Sequence, residues 1–296
     1  MTKNFAFPLL IMLTAFALVL RFDGAKAGLV EDAIPSAENA CKDVTLSRGL
    51  KYGESDQNVV DIATLGDKTS PRPVLLFVAG ESFADDGTSG DWSLRDQAMC
   101  LAAKNGMVGV AMAYRRAPQN AWPTGAKDVA AAASWIHQNI DLFGGDARAI
   151  VAVGYSVGAF HLASFLAHPE FQAADSTIAG AVLVSGIYHI GDDTSDGERA
   201  YFGADASKYE SRSAFPGILE VDEPIVLAWS AVDSPRLVAQ ANTLRERLCK
   251  AGHCPRIAEV TDHDAPASVF DHNGAGKSLA ERTRQLIDQI EMRGLP

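Results

Sequence analysis

One serine lies in a sequence context that suits it for nucleophilic chemistry. The segment GYSVG, residues 154–158, follows the apolar run IVAVG and precedes the helix-like run VGAFHLASFLA. This context predicts a tight strand-to-helix turn that lifts the hydroxyl of Ser156 above a sheet. The helix N-terminus favours negative charge beside the serine, and the backbone N–H of Val157 is placed to donate to an oxyanion. The alternative is a glycine-rich turn in which Ser156 caps the helix.

A nucleophilic serine needs a histidine base and an acid that orients the histidine. Behind a turn of this kind, the acid and then the histidine follow in the sequence. Asp233 comes just after the apolar run PIVLAWS, and His263 comes just after RIAEV. We therefore predict Asp233 as the acid and His263 as the base, with His272 in the same loop as the second candidate. The alternative role for Asp233 is to cap the helix predicted over residues 235–251.

Other polar residues are excluded by their position. Asp222 and Glu223 precede the strand that leads to Asp233, and His253 precedes the next strand, so all three are expected at the opposite end of the sheet. The remaining histidines are expected to be ordinary helix or loop residues: His137, His161, His168 and His189. Of these, His189 is also a candidate to line the pocket from the cap.

Strand-like and helix-like segments alternate along the chain. Several strands are continuous apolar runs, as expected for parallel strands covered on both faces. Alternation of this kind predicts a mostly parallel sheet flanked by helices, with an antiparallel edge where the first strands follow one another closely. Strands are predicted at about 44–51, 57–63, 73–79, 107–113, 149–154, 178–184, 224–230 and 256–261, and helices at 91–105, 124–140, 157–168, 235–251 and 275–293.

Three local signals refine these elements. Thr124 is a candidate N-cap of the second helix, and Ser234 followed by Pro235 matches a cap with proline in the first turn. Residues 28–43 look like a polar lead-in. Residues 186–222 are rich in Gly, Asp, Ser and Tyr, and we expect them to form a small cap over the site.

The region from Tyr114 to Ala163 resembles bacterial hormone-sensitive-lipase-like carboxylesterases and the related arylformamidase-like (BD-FAE-like) α/β hydrolases. The resemblance rests on YRRAP (114–118), WP (122–123), DV (128–129), WI (135–136), FGGD (143–146) and the serine turn, and a looser similarity extends from about residue 57 to the end. It implies the α/β-hydrolase fold, hydrolysis of esters or amides of small acyl groups, and no cofactor. It also supports Asp233 and His263 by position.

One loop departs from that family. The family carries a histidine-glycine-glycine loop after the third strand, where this chain has AGESF, residues 79–83. By this match, the N–H groups of Glu81 and Ser82 would join Val157 in the oxyanion hole. Glycine adopts backbone angles that are costly for a residue with a side chain, such as Glu81. If the altered loop loses one N–H donor to the oxyanion, turnover falls by about 100-fold or more. The departure predicts weak activity or a loop adapted to an unusual substrate.

Together these observations predict a carboxylic ester hydrolase acting on small or medium acyl groups through an acyl-enzyme. The expected pocket residues are Phe83, Tyr155, Tyr188 and His189. The alternatives are an arylformamidase or amidase on the same triad, and a catalytically impaired hydrolase fold that serves as a binding protein.

Composition limits the partners. The 296 residues carry a net charge of −11, which argues against nucleic acid, because nucleic-acid binding calls for a basic surface. We expect a small-molecule ester as the partner; oligomeric state is left open. No CxxC pair or HExxH motif is present, so no metal site is expected.

The N-terminal segment predicts export. Lys3, the uncharged apolar run over residues 5–20 and the small-x-small pattern at Ala25–Ala27 are typical of a signal peptide, residues 1–27, with a catalytic domain over 28–296. The alternative is an uncleaved N-terminal anchor. A periplasmic or secreted protein without stable membrane insertion is expected.

Export changes how the four cysteines are interpreted. An even number in an oxidising compartment predicts two disulfides. Four cysteines allow three pairings; one of them joins Cys249 to Cys254 across a short turn and Cys41 to Cys100.

Overall fold

The computed structural model describes residues 36–67, 70–80, 82–85, 92–230, 232–260 and 277–294. Within these residues, eight strands form one sheet. All of these residues belong to one unit of the chain, residues 32–296. The predicted signal peptide lies outside the described residues. The strands are β1 (Thr45–Lys51), β2 (Val59–Thr64), β3 (Arg72–Val78), β4 (Val108–Met112), β5 (Gly145–Tyr155), β6 (Gly180–Val184), β7 (Ile225–Ser230) and β8 (Arg256–Val260).

The sheet order is β1-β2-β4-β3-β5-β6-β7-β8. The β1–β2 and β2–β4 pairs are antiparallel, and every later pair is parallel. The predicted antiparallel edge and mostly parallel sheet are therefore confirmed.

The described helices are α1 (Ala37–Cys41), α2 (Trp92–Lys104), α3 (Thr124–Asn139), α4 (Val157–Ala167), α5 (Asp196–Phe202), α6 (Tyr209–Arg212), α7 (Pro235–Ala251) and α8 (Lys277–Gly294). Short 3-10 turns lie at Ile140–Phe143, Pro169–Phe171, Ala206–Lys208 and Gly217–Glu220.

The sheet is buried on both faces. Along β3, Val74, Leu76 and Val78 belong to one hydrophobic cluster, which includes residues of α3, α4 and α7. The intervening Leu75 and Phe77 belong to a second cluster, which includes residues of α2 and α8. Since both faces are covered, successive side chains from Val74 to Val78 are all apolar, and this explains the continuous run in the sequence.

Strand register brings the carboxyl ends of the parallel strands to one edge. Val78 pairs with Gly154, Tyr155 with Val184, and Ser230 with Val260. The residues that directly follow β3, β5, β6 and β7 therefore meet at this edge, which is where open α/β sheets place their ligands.

The structure corrects two local predictions. Pro123, not Thr124, is the N-cap of α3, and the Thr124 hydroxyl donates instead to the carbonyl of Ala121 at 2.7 Å. The polar lead-in contains the helix α1, whose cap Ser36 accepts from Asn39 N. By contrast, Ser234 caps α7 as predicted, accepting from Leu237 N with Pro235 in the first turn.

Both disulfides are present, and they select one of the three pairings. Cys41 is bonded to Cys100, which joins α1 to α2. Cys249 is bonded to Cys254 across the turn between α7 and β8. Within the described residues, no helix combines the length and the apolar character needed to cross a membrane.

Candidate active site

Ser156 occupies a sharp turn between β5 and α4. Its backbone has φ 51° and ψ −115°, a conformation that non-glycine residues rarely adopt. Such strain is typical of functional turns, where the surrounding structure holds it. Here the N–H of Ser156 donates to the carbonyl of Val184 at 2.8 Å. A Cβ atom on Gly158 would collide with the carbonyl oxygen of Val78, so the turn needs glycine there.

The loop after β3 lies directly against this turn. A Cβ atom on Gly80 would lie 2.7 Å from the carbonyl oxygen of Tyr155 and 2.8 Å from Cβ of Ser156. The backbone of the loop at Gly80 is therefore packed on the serine itself. Val157 is the first residue of α4, so its N–H has no acceptor within that helix.

Asp233 is fixed by two strand ends. Its Oδ2 accepts from the backbone N–H of Ser230 at 2.9 Å and from the hydroxyl of Ser185 at 2.6 Å. Asp233 is half-buried and lies one residue before the cap of α7, so the cap is Ser234 and not Asp233. The carboxylate is held at the same sheet edge as Ser156.

Ser185 was missed in the sequence analysis. It follows β6 directly, is buried, has φ 51°, and donates from its backbone N–H to the carbonyl of Ala228. The available signal was a polar residue at the end of the apolar run AGAVLV, at the edge where the other site residues end.

The YRRAP signature ties the loop after β3 to the body of the protein. Tyr114 donates its hydroxyl to the carbonyl of Ala79 at 3.0 Å. Burial raises the pKa of Tyr114 above its usual range, so the phenol stays protonated and remains a donor. Ala117 donates its N–H to the carbonyl of Phe83 at 3.0 Å and accepts from Asp85 N at 2.7 Å.

The two arginines of the signature have separate partners. Arg115 forms a forked ion pair with the buried carboxylate of Asp128, with the closest contact at 2.6 Å. Arg116 lies 3.2 Å from the carboxylate of Asp85, next to the loop. The signature is therefore a set of tethers, and three of its residues, Tyr114, Arg116 and Ala117, contact the loop after β3.

An aromatic cluster fills the space behind the loop. Phe83 packs on Phe160, Tyr201 and Phe202 with ring centroids 5.1–5.5 Å apart, and all four are buried. His161 packs on Phe83 and lies 3.5 Å through Nδ1 from the Tyr201 hydroxyl. Burial lowers the pKa of His161 to about 3, so it is neutral at physiological pH.

The other predicted site residues lie in different surroundings. Tyr155 and Val157 are half-buried and Ser82 is exposed. Tyr188 is fully buried in the main core. His189 is exposed, and its backbone is bonded to the side chain of Gln240. His263, His272 and Glu81 lie outside the described residues, 261–276 following β8 and 81 following Gly80.

Two further histidines are bonded to backbone carbonyls away from this edge. His137 lies 2.8 Å from the carbonyl of Thr177, and His168 lies 3.1 Å from that of Ser213. Among the described residues, no group of three or more His, Cys, Asp or Glu side chains is arranged to hold a metal ion.

Residues 60–182 match the BD-FAE family model. This segment runs from β2 to β6 and includes the YRRAP tethers, the serine turn and the loop after β3. Together with the sheet topology, the match supports the expected α/β-hydrolase fold and the BD-FAE-like group that the sequence resembles.

Named relatives of this α/β-hydrolase are esterases. Esterase LipC of Mycobacterium tuberculosis is 32% identical over 166 residues, which cover 52% of this chain and 40% of LipC. A probable isoprenylcysteine alpha-carbonyl methylesterase of Arabidopsis thaliana, ICMEL1, is 25% identical over 81% of this chain and 47% of that protein. The matched regions are thus less than half the length of these relatives.

Solved structures share the fold. A truncated carbohydrate esterase from gut microbiota has a TM-score of 0.71 at 15% identity, covering 83% of this chain and 96% of that one. Esterase B from Lactobacillus rhamnosis, inhibited by a tributyrin phosphonate, has a TM-score of 0.69 at 14% identity, covering 85% and 88%. At these identities the likeness shows the α/β-hydrolase fold alone.

Proposed function

We propose that this α/β-hydrolase cleaves carboxylic esters of small or medium acyl groups, with Ser156 as nucleophile, His263 as base and Asp233 as acid. The observation that carries the proposal is the strained turn at Ser156, packed against the loop after β3. A serine held in this way at the head of a helix, on the edge where Asp233 is also held, suits acyl transfer. The esterase relatives support the same reaction class.

The reaction would run in two halves. Oγ of Ser156 attacks the ester carbonyl carbon while His263 takes its proton, and the negative charge on the carbonyl oxygen is met by the N–H groups of Val157 and of the loop, Glu81 and Ser82. The bond to the alcohol oxygen breaks, and His263 gives that oxygen the proton. Water then attacks the acyl-enzyme by the same route and releases the acid.

Asp233 would act through its second oxygen. Its Oδ2 is engaged by Ser185 and Ser230, and no described residue is a partner of Oδ1. We assign Oδ1 as the acceptor for the N–H of His263, which fixes the tautomer of the imidazole and stabilises its protonated form. The half-buried position of Asp233 places this contact partly out of water, where it is stronger.

The acyl pocket is proposed to be small. The space behind the loop is filled by Phe83, Phe160, Tyr201 and Phe202, all buried. A long acyl chain would have to displace one of these rings, and each ring is packed on the other three.

The test is hydrolysis of p-nitrophenyl acetate, butyrate and octanoate by the purified protein. We expect turnover that falls with chain length and is lost in Ser156→Ala. His263→Asn should lower kcat by about 1000-fold or more, whereas His272→Asn should leave most of it. Wild-type protein without turnover would contradict the proposal, and loss of kcat in His272→Asn alone would move the base to His272.

Residence outside the cytoplasm is proposed as well. Two disulfides, as found here, form and persist in oxidising compartments. Fractionation of the native host, followed by N-terminal sequencing, should find a mature chain that begins near residue 28. A full-length chain in the cytoplasm would contradict this.

A further inference from the structure

One buried carboxylate outside the candidate triad has two structural roles. Glu198 lies in the first turn of α5 and is only 2% exposed. It completes a capping box, accepting from Ser195 N at 2.6 Å while the Ser195 hydroxyl accepts from Glu198 N at 3.2 Å. A capping-box glutamate can perform this function at the surface. Burying its charge is costly unless the charge is paired, so the burial points to a second partner.

That partner is Arg236. Its Nη1 lies 2.9 Å and 3.1 Å from the two carboxylate oxygens of Glu198, and its Nε lies 3.0 Å from the carboxylate of Asp193. Arg236 is in the first turn of α7, three residues after Asp233. The guanidinium of Arg236 therefore pairs with Asp193, which precedes α5, and with Glu198 in its first turn. It links the start of α5 to the start of α7, which follows the proposed acid.

The start of α5 lies over the candidate site. A Cβ atom on Gly197 would be 3.8 Å from the hydroxyl oxygen of Ser82, an exposed residue of the loop that packs on Ser156. At its other end, α5 contributes Tyr201 and Phe202 to the ring cluster around Phe83. The helix is thus one wall of the space next to the loop.

We propose that the Glu198–Arg236 pair is a positioning device that sets the distance between α5 and the Ser82 loop, and thereby limits the length of the acyl group. The inference rests on the proposed ester hydrolysis. Neither residue touches the reacting atoms: Ser156 and Asp233 are held by β5, β6 and β7. Weakening the pair would therefore move the pocket wall while the reacting groups stay in place.

Glu198→Gln separates the two roles, because glutamine also completes a capping box but carries no charge for Arg236. We expect the ratio of kcat/KM for p-nitrophenyl octanoate to that for the acetate to rise about tenfold, while kcat for the acetate stays within about threefold of wild type. The leaving group is constant in this series, so the ratio reports the acyl side alone.

Two variants extend the test. Arg236→Gln should raise the ratio to a similar extent, and the double variant should add little, because coupled partners are not additive. Gly197→Leu puts a side chain into the gap facing Ser82 and should lower the ratio. The control is Asp196→Asn, which removes the exposed carboxylate that pairs with Arg199 on the same helix and should leave the ratio unchanged.

An unchanged ratio in both Glu198→Gln and Arg236→Gln would overturn the proposal, even if both variants lost thermal stability. A ratio that moved equally in Asp196→Asn would overturn it too, since any change of charge on α5 would then suffice.

A wild type without ester turnover would be a failure of the proposed function instead. Hydrogen exchange of the α5 amides would then decide whether the pair holds the helix: faster exchange in Glu198→Gln than in Asp196→Asn is expected, and equal exchange would refute it.

Discussion

At the scale of single residues, the position of Asp233 depends on a serine that lies 48 residues away in the sequence. The Ser185 hydroxyl donates to Oδ2 of Asp233 at 2.6 Å, and both residues follow strand ends that lie side by side. Hydrogen bonds to charged groups are worth about 1.5–3 kcal/mol. Ser185 therefore contributes to fixing the carboxylate of the proposed acid.

Ser185→Ala should lower kcat for p-nitrophenyl acetate by about tenfold or more. This is the change in rate that corresponds to the free energy of the lost hydrogen bond. Ser230→Ala is the matched comparison, because its bond to Asp233 comes from the backbone N–H and survives the substitution. Steady-state kinetics of the two variants give the measurement. Equal losses would mean that Asp233 is positioned in some other way.

His161 provides a pH prediction at the same scale. Its pKa is lowered to about 3 in the folded state from an ordinary value of 6.5. Between these values the unfolded chain binds the extra proton, so the free energy of unfolding rises with pH across this window. The stabilisation is complete above about pH 6.5 and is lost as the pH falls towards 3.

Replacing His161 with Gln should therefore flatten the acid side of the stability profile by up to about 1.4 kcal/mol per pH unit. The control is His253→Gln, which changes an exposed histidine. Urea unfolding at pH 4, 5, 6 and 7 gives the comparison. Parallel profiles for His161→Gln and wild type would show that His161 is not the group responsible.

At the scale of elements, the loop after β3 is held by the segment after β4. Tyr114 bonds the carbonyl of Ala79, immediately before Gly80, which packs on Ser156. The loop has Glu81 where the family that the sequence resembles carries its second glycine. A loop that donates to the oxyanion must be held in place before the reaction.

Tyr114→Phe should reduce kcat about tenfold with little change in KM, since oxyanion donors act mainly in the transition state. Tyr52→Phe is the control: the Tyr52 hydroxyl also donates to a backbone carbonyl, but to that of Ala113, which is outside the loop. A similar fall in both variants would point to general destabilisation. An unchanged kcat in Tyr114→Phe would show that the loop keeps its shape without this bond.

How far the sequence predicted these elements depends on the range of the interactions involved. The ends of β5 and β7 could be predicted, because long apolar runs stop where the site begins. The cap at Ser234 could also be predicted, because capping is local. The role of Ser185 could not, since it depends on a contact with Asp233, which is 48 residues away in the sequence. The helix α1 is only five residues long and is joined to α2 by a disulfide, so its own sequence carries little signal.

At the scale of the whole molecule, the two disulfides close loops of very different size. Cys41 and Cys100 are 59 residues apart, whereas Cys249 and Cys254 are 5 apart. Cross-links stabilise largely by restricting the unfolded chain, and longer loops lose more entropy. The first disulfide should therefore contribute about 4 kcal/mol and the second about 2 kcal/mol.

The double variant Cys41→Ala/Cys100→Ala should show a lower midpoint of urea unfolding than Cys249→Ala/Cys254→Ala. Equilibrium unfolding of the two variants and of wild type, at one pH and without reductant, measures this. The reverse order would show that the short turn before β8 is more important for stability than loop entropy predicts.

The central claim is that Ser156 is an activated nucleophile, and covalent labelling tests it most directly. The purified protein would be treated with a fluorophosphonate probe at neutral pH, and the site of the adduct located by peptide mass spectrometry. We expect one adduct per chain, on Ser156, formed much more slowly in Asp233→Asn. No adduct, or an adduct on another residue, would contradict the claim.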